Sequence, residues 1–122
     1  MRTNDLKELV QAKLGTLDVS VYHEMAIDTA MYPHIVFSFE RIELGDLSRQ
    51  DYVLDVDLWD KTEDTTVVDD LADSVENLLQ AENLPQDNVL PTFYLIDRKN
   101  ILDPDKDIKH RLVRFQIQNY ER

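Results

Sequence analysis

The chain has 122 residues, no cysteine, 25 acidic against 13 basic side chains and a net charge of -12. This excludes a disulfide scaffold, a cysteine nucleophile and a thiolate metal site. It also argues against nucleic acid as a tightly held ligand, since phosphate binding requires clustered Lys and Arg. The length suits one domain over 1–122 with a core that needs no staples.

Thr3 or Asn4 can cap a first helix, with Asp5 near the positive end of its dipole. Leu6, Leu9, Val10 and Leu14 recur at helical spacing, and Gly15 supplies the expected stop. The N-terminus lacks the apolar core of a signal peptide, and no apolar run is long enough to span a bilayer. A short strand is expected over Leu17 to Tyr22, and residues 24–31, without periodicity, read as a loop.

The centre of the chain is a predicted hairpin from Tyr32 to Asp60 around the polar segment Gly45-Asp46-Leu47-Ser48. Pro33 has no amide to donate and belongs at the start of its first strand. Ile35, Phe37 and Phe39 share one side of that strand; His34, Val36 and Ser38 share the other. In the second strand Tyr52, Leu54, Val56 and Leu58 alternate with Asp55, Asp57 and Trp59, so one face packs and the other stays wet or meets a partner.

A second helix is expected with Val68, Leu71, Ala72, Val75, Leu78 and Leu79 as its apolar stripe. Asp69, Asp70, Asp73 and Glu76 lie largely outside that stripe, and Asn83-Leu84-Pro85 ends the helix. Phe93 to Ile96 reads as a strand, Asp97-Arg98-Lys99-Asn100 as a turn, and Ile108 to Tyr120 as a long last strand. In the last strand Val113, Phe115 and Ile117 face the core, opposite Arg114, Gln116 and Gln118. The order predicts an α+β domain: a mostly antiparallel sheet of four to five strands with two helices on one face.

Charge is unevenly placed. Residues 1–97 hold 21 acids and 6 bases, residues 98–122 hold 4 acids and 7 bases, and Thr62 to Asp97 contains no Lys or Arg. Such a chain can attract copies of itself head to tail. The candidate boundary patches are the acidic helix with Asp69, Asp70, Asp73 and Glu76, and the basic strand with Lys109, Arg111 and Arg114. Trp59 reads either as a partner anchor or as a ring packed under a loop at the sheet's end.

Catalytic and metal signals are weak. Asp103-Pro104-Asp105-Lys106-Asp107 opens like a calcium loop, but Ile108 stands where Gly is needed and Arg114 where Glu is needed. An acidic turn is the better reading. His23-Glu24 begins like a zinc-protease helix and fails at Ile27. Asp55 and Asp57 could do acid–base work, but no His or Lys is near them in sequence, and His23, His34 and His110 carry no motif. No catalytic residue, metal or cofactor is expected.

Several stretches together resemble the tail terminator, or tail completion, proteins of tailed bacteriophages, a family also called minor capsid proteins. They are Val21-Tyr22-His23-Glu24, Tyr32-Pro33-His34-Ile35-Val36-Phe37, Asp55-Val56-Asp57-Leu58-Trp59-Asp60, the helix Asp70 to Leu79, and Arg111 to Ile117. The resemblance implies an α+β structural protein of the virion, assembled in the host cytoplasm. It implies a ring of about six copies that caps the tail tube, ends its polymerisation and meets the head–tail connector. Its partners would be itself, the major tail tube protein and the connector, with DNA only as passing cargo and no membrane. The acidic balance fits such a conduit, because a negative lining repels phosphate. Two alternatives remain: a head completion or neck protein of the same virion, and an enzyme using Asp55 and Asp57.

Overall fold

The computed structural model describes residues 3–42, 49–80 and 89–121, and two helices lie on one face of a five-stranded sheet. The first helix, α1, is Thr3–Leu14, and the predicted stripe Leu6, Leu9, Val10 and Leu14 is buried. Gly15 does not stop the chain. A 3-10 turn, Gly15–Leu17, follows, and the backbone turns at Asp18, in the left-handed region at φ 61°. A short polar side chain tolerates that conformation, and Gly15 has no positive φ.

Strand β1 (Ser20–His23) pairs in parallel with β2 (His34–Ile42), and β2 pairs antiparallel with β3 (Arg49–Lys61). The turn expected at Gly45 to Ser48 lies outside the described residues. The remaining strands are β4 (Val89–Ile101) and β5 (Ile108–Glu121), and the sheet order is β1-β2-β3-β5-β4. The expected hairpin therefore supplies the middle of the sheet.

Alternation holds along these strands. Ile35, Phe37, Tyr52, Leu54, Val56, Leu58, Val113, Phe115 and Ile117 are buried beneath the helices. Helix α2 is Thr66–Leu79 and buries Val68, Leu71, Ala72, Val75 and Leu79 against them. Each of these large side chains contributes roughly 1.5–3 kcal/mol through burial.

Three boundaries differ from the sequence reading. Strand β1 begins at Ser20 and not at Leu17, because Leu17 closes the 3-10 turn and the backbone turns at Asp18 before the strand can start. Helix α2 ends at Leu79, before Asn83-Leu84-Pro85, which lie outside the described residues; the Gln80 amide closes the helix on the Glu76 carbonyl at 2.9 Å. Asp97-Arg98-Lys99-Asn100 is not a turn but part of β4, after a bulge between Leu95 and Asp97. Arg98 explains why: three carboxylates on α2 hold it in the sheet, a tertiary reward that local composition cannot show. The chain instead reverses at the acidic segment 102–107. There Asp103 accepts the Asp105 amide at 2.9 Å and Asp105 accepts the Asp107 amide at 3.0 Å.

The parallel β1–β2 pair has a consequence for the surface. Parallel neighbours need a crossover, because the end of one strand is far from the start of the next. The helices cover one face, so residues 24–33 pass over the other. Among the described residues no helix is long and apolar enough to cross a membrane.

Candidate interaction surface

The open face of the sheet is ordered in rows by strand register. One row runs Ser20, His34, Trp59, His110, Ile101 across all five strands. Trp59 stacks on His110 with ring centroids 3.6 Å apart and planes 17° apart; on its other side His34 lies 6.5 Å away at 19°. Tyr32 and Tyr22 meet His34 from the loop and from β1, at 5.0 and 6.0 Å. The sequence gives His34 and His110 no motif, but parity alone puts them on Trp59's face.

His110 is fixed a second time, by a 2.7 Å contact between its Nε2 and Asp57 Oδ1. His34 Nδ1 lies 3.1 Å from the Met31 carbonyl, so the ring must donate from Nδ1. Burial lowers the His34 pKa below the ordinary 6.5, opposed in part by the Met31 carbonyl. A neutral Nδ1–H ring thus ties the end of the crossover loop to the sheet.

Between that loop and the sheet lies a cleft of about 500 Å³. Its floor is His34, Val36, Asp57 and Trp59, and its far wall includes Met25 and Ile27. Trp59 is half-buried: it packs against His110 beneath the crossover loop, and part of its ring lines the cleft. Among the described residues the cleft's charges are Glu24, Asp28 and Asp57, with no Lys or Arg in its lining.

Farther along the face a polar row crosses three strands. Arg114 Nε donates to Asp55 Oδ1 at 2.7 Å, and Asp97 is the register partner of Arg114 on β4. The hydrogen bond and charge of Asp55 raise the Arg114 pKa. Asp55 and Asp57 are therefore each engaged, one by a guanidinium and one by an imidazole. Among the described residues, serine, threonine and cysteine are absent from the cleft lining. Among the described residues no three His, Asp or Glu side chains converge as a metal site.

The charged residues expected at a subunit boundary separate. Arg98 Nη1 reaches Asp73 at 2.6 Å and Glu76 at 3.2 Å, and its Nη2 reaches Asp69 at 3.4 Å. Arg111 Nε donates to the same Asp69 oxygen at 2.8 Å. The acidic helix and the basic strand thus already meet, inside one chain. Burial pushes the Asp69 pKa up, but hydrogen bonds from Arg111 and Thr65 and the charges of Arg111 and Arg98 outweigh it and hold the carboxyl low.

Arg111 and Arg114, three residues apart on a strand of period two, project from opposite faces. The Lys109 ammonium caps the Lys106 carbonyl. Asp70 and Lys109 make no ion pair among the described residues. Arg98, the hub of the helix-side cluster, is the functional-looking group that sequence reasoning missed. Its signal was present: Arg98 is the first base after a long stretch, Thr62 to Asp97, without any.

Comparison with known proteins gives a consistent result. The family model for tail completion protein gp17 matches residues 3–118. Among solved structures, a chain from the virion of a native gene transfer agent (GTA) particle is 12% identical and superposes with a TM-score of 0.71. That match covers 91% of this chain and 84% of the other, and at such identity it shows the fold. No curated protein matches.

Proposed function

The chain belongs to the tail completion protein gp17 family, and from that membership we propose that it caps the finished tail tube of a tailed phage or prophage as a ring. It is a structural tail protein of a virion. In the finer reading it ends tube polymerisation and forms the joint to the head connector, as a ring of about six copies assembled in the host cytoplasm. The tube protein and the connector protein are its neighbours, and DNA crosses the ring without being held.

The observation that best supports a role in assembly is the open face with its aromatic row and apolar loop. Met25, Ile27 and Met31 stand exposed together on the crossover loop beside the cleft, an apolar cluster of the kind that marks an interaction site. The net charge of -12 supports the conduit, since an acidic ring does not trap phosphate. Of the residues suggested for subunit contacts, Trp59 keeps that role through the cleft. Asp70 and Lys109 stand as auxiliary charges, while Asp69, Asp73, Glu76, Arg111 and Arg114 act first within the chain.

Deleting the gene from its phage and measuring the tails tests the proposal. Tails of uncontrolled length are the expected result. Tails of normal length left unattached to heads would instead make this a neck protein, and attached tails of normal length would remove both roles.

A further inference from the structure

Among the described residues, the three charges that line the cleft over Trp59 are all carboxylates, and none is matched by a guanidinium or an ammonium. Glu24 has the His23 ring 4.0 Å away, Asp57 holds His110 at 2.7 Å, and Asp28 makes no ion pair. The acids clustered on α2 are different, because Arg98 gathers Asp69, Asp73 and Glu76 within the chain. The cleft therefore keeps an unanswered negative potential.

Beside the carboxylates stand ring faces. One face of Trp59 is covered by His110 at 3.6 Å, but on the other side His34 stands off at 6.5 Å. Tyr32 lines the same space and is exposed. His34, donating from Nδ1 to the Met31 carbonyl, adds no positive charge. Aromatic faces next to carboxylates in a partly dry recess attract an organic cation, and a flat one stacks as well as pairs.

Size and rim narrow the ligand further. A space of about 500 Å³ is far larger than one metal ion and lies in the range that accepts organic groups. Met25 at 79% and Met31 at 75% exposure, with Ile27, form an apolar rim outside the acidic interior. A free polyamine would leave that rim uncovered. A peptide covers it with the apolar neighbours of its basic residue.

We propose that the cleft takes an arginine side chain from an apolar-flanked segment of a partner protein. The guanidinium lies against Trp59 and Tyr32, facing Asp28 and Asp57, and the flanking side chains rest on Met25 and Met31. Binding of this kind needs one folded chain and no ring, so its test and the deletion experiment above can fail separately.

Trp59 is the sole tryptophan, so intrinsic fluorescence reports on this cleft alone. The full-length protein is titrated with a short capped peptide carrying one arginine between two leucines. Matched peptides carry citrulline or lysine instead, and spermidine serves as the free polyamine. The arginine peptide should give a saturable change in Trp59 emission. Citrulline, flat but uncharged, should bind about tenfold more weakly, and lysine and spermidine should also be weaker. Asp28→Asn should weaken arginine binding roughly two- to fivefold at an unchanged melting temperature. Asp70→Asn, which removes the same charge from the exposed side of α2, should not. No saturable change, equal binding by citrulline, lysine or spermidine, or equal losses from Asp28→Asn and Asp70→Asn would overturn the assignment.

Discussion

Trp59 and His110, register partners on β3 and β5, lie face to face at 3.6 Å, and the imidazole is held from behind by Asp57. An indole on the wet face of a sheet would ordinarily be free to turn. Here a ring fixed by a carboxylate sets its plane, so the floor of the cleft is preformed. Such aromatic pairs contribute about 0.5–1.5 kcal/mol beyond their buried area. A double-mutant cycle of Trp59→Ala and His110→Ala, read by urea unfolding, should return a coupling of that size. A coupling near zero would mean the two rings are merely adjacent.

The same surface predicts a pH dependence. Burial lowers the His34 pKa from 6.5, so the unfolded chain takes up the proton more readily than the folded one. Stability from this group is complete above 6.5 and is lost as the pH falls through the folded value. Asp69, also lowered, acts with the same sign but only below its ordinary 3.8. Urea midpoints at about pH 7.5 and about pH 5 should therefore fall less for His34→Gln than for the wild type. An equal fall in both would exclude His34 as a source.

The core was legible because alternation is a local signal. Phe37 and Leu54 are completely buried, and replacing either with Ala should cost about 2–5 kcal/mol. Asp55→Asn loosens a partly exposed pair with Arg114 worth about 0.2–1 kcal/mol, and Asp57→Asn keeps an oxygen within reach of the buried His110, so its cost should stay near the ~1 kcal/mol of one hydrogen bond. Chemical denaturation should separate the two classes, and larger losses from the aspartates would reverse the assignment of faces.

Where the sequence misled, a distant partner decided. Asp97-Arg98-Lys99-Asn100 has the composition of a turn, yet α2 holds Arg98 in the sheet. Arg111 and Asp69 were legible as opposite charges but not as a pair within one chain, because 42 residues separate them. The cleft depends on β1 running parallel to β2, and no residue in the loop 24–33 announces that direction. Its exposed Met25, Ile27 and Met31 were the available hint.

Gly15 offers a stabilising change. It has no positive φ, and a Cβ added there meets nothing within 4 Å. Gly15→Ala should raise stability by about 0.4–1 kcal/mol, chiefly by restricting the unfolded chain. A lower melting temperature would show that the 3-10 turn after α1 needs glycine's freedom after all.

Arg98 gathers three acids of α2, and Arg98→Ala leaves those like charges facing one another. The cost should be about 1–2 kcal/mol, since a charged hydrogen bond is strong but this cluster is partly wet. Arg98→Lys should recover only part, because one ammonium cannot fork to Asp69, Asp73 and Glu76 together. The loss should shrink in high salt. A salt-independent loss would point to packing of the Arg98 stem instead.

Arg111 decides how charge reversals in this protein must be read. Its side chain is nearly buried and its Nε is bound by Asp69 at 2.8 Å. Arg111→Glu would therefore set two carboxylates against each other inside the chain and should cost up to about 3–5 kcal/mol. Failure of that variant to form rings would then reflect lost folding, not a lost boundary. Asp70→Lys, on the exposed turn of α2 with no ion pair among the described residues, should leave the melting temperature nearly unchanged. Adding Asp69→Arg to Arg111→Glu should restore part of the stability, since the pair is rebuilt with its ends exchanged. Melting curves of the three variants test this directly: an Arg111→Glu protein as stable as the wild type would show that the Asp69–Arg111 contact contributes nothing to the fold and is free to serve between copies.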